Sequence, residues 1–121
     1  MSTSPSSLPP DELVAAYRRA ADAHGSASES GDYKTANPYA EEIAEVFREL
    51  RQRGEESLSE LLVLLNDPSD YVRAWAASHA LTFAPADAEP VLVELSGHPG
   101  ASGLSARMTL HEWRAGRLRF P

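Results

Sequence analysis

The residues best able to do chemistry in this chain are four histidines, a set of serines and a glycine trio, and their spacing argues against catalysis. His24, His79, His98 and His111 never stand three or four apart, so no two share a helix face as a metal-binding pair. His79 falls on the apolar face of an expected helix, where a hydrogen-bonded core histidine is the simplest reading. His98 lies in the turn Gly97-His98-Pro99-Gly100. His111 and Glu112 could supply a base and an acid, but adjacent residues of a helix point apart. No serine sits in a Gly-x-Ser-x-Gly elbow. Gly97, Gly100 and Gly103 are spaced by three, which is not the Gly-x-Gly-x-x-Gly order of a phosphate-binding turn, and no strand precedes them. The absence of cysteine excludes a disulfide framework, a thiolate metal site and a cysteine nucleophile. The sequence therefore predicts no catalytic residue, no metal ligand and no cofactor, and so no enzyme.

What the charges offer instead is binding. The 121 residues carry 18 acidic and 11 basic side chains, net −7. Residues 1–60 hold 12 acidic and 6 basic groups, net −6, against 6 and 5, net −1, in the remainder. From Arg107 onward the balance turns basic, with Arg107, Arg114, Arg117 and Arg119 against Glu112. Phosphate would repel such a chain, so nucleic acid is not an expected partner. A basic protein is, since complementary fields speed encounter. The candidate docking residues are Glu41, Glu42, Glu45 and Glu49, with Tyr39 as an aromatic neighbour. Glu41, Glu45 and Glu49 are four apart, so like charges align at a cost of a few tenths of a kcal/mol per pair. A row that does not help its own helix suggests retention for a partner. The plainer reading is a face kept soluble. Trp75 and Trp113 read as core aromatics, or else one of them as an exposed anchor.

Helices must position these groups. Residues 1–8 are expected to be a disordered Ser- and Pro-rich tail and 9–121 one domain. No apolar run approaches the ~20 residues of a membrane span. The start, Met1-Ser2-Thr3-Ser4, lacks the marks of a secretion signal, so the expected compartment is the cytoplasm. Leu13, Ala16, Tyr17, Ala20 and Ala21 predict a first helix from about 9 to 25, ended by Gly25. Asn37-Pro38 reads as a cap and first helical residue, with Ile43, Val46, Phe47 and Leu50 inward and Gly54 as the stop. Ser57 to Glu60 reads as a capping box for a third helix, buried by Leu58, Leu61, Leu62 and Leu65. Asp67-Pro68 opens a fourth helix, with Val72, Trp75, Ala76, His79, Ala80 and Phe83 inward, closed by Pro85. A fifth runs from Ala86 or Pro90 to Ser96. A sixth covers about 102–115, with Leu104, Met108, Leu110 and Trp113 apolar. Nothing alternates as a strand would.

A faint internal repeat relates Leu61-Leu62-Val63-Leu64 and Pro68 to Leu92-Val93-Glu94-Leu95 and Pro99, and Val72, Ala74 and Leu81 to Leu104, Ala106 and Trp113. The first two helices fall outside this register and read as a terminal cap. These hairpins resemble HEAT-type units. From Asn37-Pro38-Tyr39-Ala40 to Pro121 the chain is similar to a bacterial family of small helical proteins catalogued as a domain of unknown function. The residues that carry the likeness are Arg53-Gly54, Leu61 to Leu65, Asp67-Pro68, Val72-Arg73, Ala76-Ala77, Leu81, Pro85 and Ala88, then Leu92, Leu95, Met108-Thr109-Leu110, Gly116 and Phe120-Pro121. The resemblance implies an all-α, right-handed stack of about six helices. In HEAT arrays an Asp at the turn and an Arg six residues on form charged ladders, which implies a structural pairing of Asp67 with Arg73. The plain alternative is Asp67 as an N-cap and Arg73 exposed. Several small HEAT-like bacterial proteins are similar to immunity proteins, which implies a non-catalytic binder that neutralises a basic toxin. A scaffold or adaptor with an unrelated partner is the competing expectation.

Overall fold

The computed structural model describes residues 4–120. Met1 to Thr3 of the expected tail, and Pro121, lie outside them. Six α-helices form, α1 Pro10–Glu29, α2 Tyr33–Arg53, α3 Glu55–Leu58, α4 Asp70–Ala80, α5 Pro85–Leu95 and α6 Gly100–Arg114. A 3-10 helix over Ser59–Asn66 joins α3 to α4, and no strand occurs among the described residues. The chain is all-α.

α1 starts as its residues dictate, with Pro10 at the first position, Asp11 and Glu12 in the first turn, and Leu13, Ala16, Tyr17, Ala20 and Ala21 buried. It does not stop at Gly25. That glycine lies beneath the ring of Tyr71 on α4, and a Cβ built there would overlap the ring. Gly25 is thus a packing notch inside a longer helix, where close approach outweighs the cost of glycine. At the far end the Glu29 carboxylate accepts from the Ala101 amide at 2.6 Å. It stands in for the side-chain cap that Pro99 cannot provide to α6, and its charge suits a helix N-terminus. α1 packs on α2, the 3-10 helix, α4 and α6, so it is a spine of the fold rather than a terminal cap.

Several helix starts differ from the expected ones, and Pro85, expected to close the fourth helix, instead opens α5. α2 begins at Tyr33, because Asp32 accepts from the Thr35 amide (3.2 Å) and hydroxyl (2.7 Å). Asn37 is therefore no cap, and Pro38 sits inside the helix, where it removes a single i→i−4 bond in an exposed early turn. Ser57 does not cap either, since Gly54 holds that position without a side-chain bond. The leucine run winds mostly as a 3-10 helix. Its period of three residues buries Leu58, Leu61 and Leu64 on one side and leaves Val63 67% exposed. α4 is capped by Ser69, whose hydroxyl accepts from the Val72 amide at 3.4 Å.

Asp67 consequently has another task. Its carboxylate takes two hydrogen bonds from Arg18 of α1, at 2.7 and 3.1 Å, and one from the Ser69 amide at 3.0 Å. Arg73 does not pair with that carboxylate. It donates to the Asp67 carbonyl at 2.8 Å and to the Asp70 carboxylate. The tight turn points the Asp67 carboxylate toward Arg18 of α1 and leaves its carbonyl, not its carboxylate, for Arg73. Asp70 also meets His98 Nδ1 at 2.8 Å, which ties the α5–α6 turn to α4. The His98 bond, the foremost cause, and Arg73 hold the Asp70 carboxyl below its ordinary range. Because the Asp67 side chain is only 8% exposed, Asp67→Ala is expected to cost about 1–3 kcal/mol in urea unfolding. A cost within experimental error would mean that the α1–turn bridge contributes nothing.

α4 is the central element, with Val72, Ala74, Ala76, Ala77, Ser78, His79 and Ala80 all buried. Its small residues let neighbours approach from several sides. Trp75 and Trp113 are only partly buried against the rim of the core. α6 buries Ser102, Gly103, Ala106 and Leu110, while Leu104 and Met108 are 52% and 61% exposed. Residues 4–8 are not a loose tail. Pro5–Ser7 form a 3-10 turn, Arg53 donates to the carbonyls of Pro5 (3.2 Å) and Ser6 (3.4 Å), and Leu8 packs on the core.

Candidate functional site

The strongest chemical candidate, His79, is a core residue. It is 2% exposed, stacks on Phe47 with centroids 3.9 Å apart, and meets Phe120 edge-on at 4.5 Å. A 2.7 Å hydrogen bond links its Nδ1 to the Tyr17 hydroxyl. Burial, with a smaller push from the Arg51 guanidinium, lowers the imidazole pKa to about 3. Burial likewise raises the Tyr17 phenol well above its usual value. The pair is neutral at physiological pH and satisfies itself inside the core. His24, half-buried, has its pKa lowered by burial and accepts from the Trp75 indole N–H at 3.4 Å. Trp75 is therefore occupied at the rim between α1 and α4. No group of three or more His, Asp or Glu side chains among the described residues is arranged to hold a metal ion.

The acidic residues build something different, a groove between α1 and α2. From α1 it takes Glu12, Ala15, Ala16 and Arg19, and from α2 Pro38, Glu41, Glu42, Glu45 and Val46. Ser4, Pro5 and Leu8 of the N-terminal turn form the third wall. Ala16 and Val46 are buried and give the groove an apolar floor, while Glu12, Glu41 and Glu45 stand exposed on its rim. None of Glu12, Glu41, Glu42 and Glu45 makes an ion pair among the described residues. On the other flank of α2, Ala40, Ala44 and Arg48 form a shallow depression that shares Glu41 and Glu45. Those two glutamates are thus a ridge between two hollows.

The structure separates the five expected docking residues. Glu41, Glu42 and Glu45 line the groove together. Glu49 does not join them, because it accepts from Arg53 at 2.7 Å and its side chain is only 16% exposed. Tyr39 turns inward and packs against the core instead of standing beside the row. Two partners of the row were not visible in the chain order. Glu12 comes from the other helix, and the N-terminal turn is carried by Arg53, the same residue that removes Glu49. Antiparallel pairing of α1 and α2 brings these together, and no local spacing announces it.

Comparison with known proteins bears on the fold more than the groove. The family described as Domain of unknown function (DUF2019) matches residues 11–113. The crystal structure of the protein RPA1889 from Rhodopseudomonas palustris CGA009 superposes with a TM-score of 0.88, covering 99% of this chain and 100% of that one at 23% identity. At that identity the likeness is one of fold. No curated protein matches the chain. No helix among the described residues is long and apolar enough to cross a membrane.

Proposed function

The chain belongs to the DUF2019 family, whose description names no activity, and on that premise we propose that it is a non-catalytic protein-binding module, specifically a cytoplasmic immunity protein that docks and neutralises a basic toxin. The observation that carries this reading is the α1–α2 groove, in which four carboxylates without ion pairs among the described residues surround an apolar floor. Such a surface needs no chemistry to act. It binds a basic partner through charge at the rim and burial at the centre, the division of labour common to protein interfaces. The toxin in particular rests on what the resemblance to small HEAT-like bacterial proteins implies, since charge and shape alone fit any basic protein.

The test is co-expression with the product of the adjacent gene, comparing the native chain with a Glu41→Lys, Glu42→Lys, Glu45→Lys variant. The native chain should protect the cell and the variant should not, with both equally folded. Association of the native pair should weaken as salt rises, because exposed charges are screened over about 8 Å at physiological ionic strength. Equal protection by both chains would remove the groove from the interface. No effect of the adjacent product on cells, together with a salt-sensitive complex with some other basic protein, would favour an adaptor over an immunity protein.

A further inference from the structure

The shape of the groove specifies what part of a partner it takes. α1 and α2 are joined by a three-residue connection, residues 30–32, and pack on one another as a hairpin, so the groove between them runs along both. Along α1 it extends from Glu12 to Arg19, a length of about 10 Å at 1.5 Å per residue, or two turns of a helix. Its floor is made of Ala15, Ala16 and Val46. Small floor residues let a third helix approach to the ~8–10 Å axis separation of packed helices. Glu12 stands on one wall and Glu41 and Glu45 on the other. Four carboxylates against the one guanidinium of Arg19 make 1 − 4 = −3 in the trough. The N-terminal turn closes one side and is hooked there by Arg53.

Accepting the α1–α2 face as the docking face, we infer that the groove seats one amphipathic helix of the partner protein, bearing Lys or Arg four residues apart around a small apolar residue. The basic pair reaches the two walls and the small residue meets the alanine floor. An anionic lipid surface or a nucleic acid would be repelled by the rim. A second copy of this chain offers an exposed apolar stripe on α6, Leu104 and Met108 beside Arg107, but no second Lys or Arg stands four residues from Arg107. Two copies each carrying −7 repel one another, which disfavours that occupant.

The experiment needs no toxin, so its failure is distinguishable from failure of the immunity reading. A labelled alanine-rich helical peptide with arginines four apart is titrated against the full chain by fluorescence anisotropy, beside an isomer whose helix is broken by a central proline. The helical peptide should bind at least about tenfold more tightly than its isomer. Ala15→Trp fills the exposed floor without changing charge, and should weaken the helical peptide about tenfold, as should Glu41→Gln with Glu45→Gln. Circular dichroism of each variant should match the native chain. Equal binding of the two peptides, or indifference to Ala15→Trp, would show an unspecific acidic face and overturn the inference. So would self-association of the chain alone that Met108→Glu abolishes, because the groove would then belong to a second copy.

Discussion

Lowering the pH from 7 to 5 is expected to destabilise this protein by roughly 2 kcal/mol, most of it through His79. The imidazole titrates at 6.5 in the unfolded chain and near 3 in the fold, where burial among Tyr17, Phe47 and Phe120 penalises its charge. The unfolded chain therefore takes the proton first. Stability is full above the unfolded value and is lost as the pH falls toward the folded one. His24, lowered by partial burial, adds a smaller loss of the same sign. The carboxyls of Asp32, Asp70 and Glu112 are held low by their hydrogen bonds and act in the same sense only further into acid. Urea unfolding at the two pH values measures the loss. His79→Gln keeps an acceptor for Tyr17 and removes the titration, so it should be less stable at pH 7 yet retain only the His24 part of the slope. An unchanged slope would mean that His79 is not buried as a neutral base.

Gly103→Ala is expected to cost roughly 2–3 kcal/mol, although alanine is the better helix former by about 1 kcal/mol. A Cβ at position 103 would fall on the carbonyl oxygen of His98 and stand 3.2 Å from the Arg107 guanidinium. Backbone cannot rotate aside as a side chain can, so α6 would have to shift away from the α5–α6 turn. That turn is itself tied to α4 through His98 and Asp70. Gly97 is the control, because a Cβ there meets only the Glu94 carbonyl at an ordinary 3.6 Å. Gly97→Ala should stay within about 0.5 kcal/mol of the native chain. Equal effects of the two substitutions in thermal or urea unfolding would refute the close approach.

Much of the fold was legible before any contact was known. Leu13 to Ala21 and Ile43 to Leu50 repeat with the helical period, and those residues are the buried ones. His79 read as a core histidine from its place on an apolar face, and the Tyr17 hydroxyl supplies the partner that reading requires. The errors cluster where local chemistry was ambiguous. Gly25, Asn37-Pro38 and Ser57 each carry a boundary signal, yet packing against Tyr71 keeps Gly25 inside α1, where glycine costs about 1 kcal/mol, and the Asp32 cap starts α2 ahead of Asn37-Pro38. Leu61 to Leu65 announces a buried helix, but not that its period is three, which decides that Val63 faces out.

The candidate site divides in the same way. Residue types and intervals along the chain determined by themselves that the protein is all-α and that its first half is acidic. These are properties of periodicity and composition, which act over a turn or two of helix. Only the tertiary structure decided which acids stand together. It withdrew Glu49 to Arg53, turned Tyr39 inward, gave Asp67 to Arg18 instead of Arg73, and set Glu12 across from Glu41 and Glu45. Arg18 and Asp67 are 49 residues apart, and Arg53 reaches Pro5 across 48. Pairings at such separations follow from how helices pack, and a helix records in its own sequence which face is buried but not which neighbour will cover it.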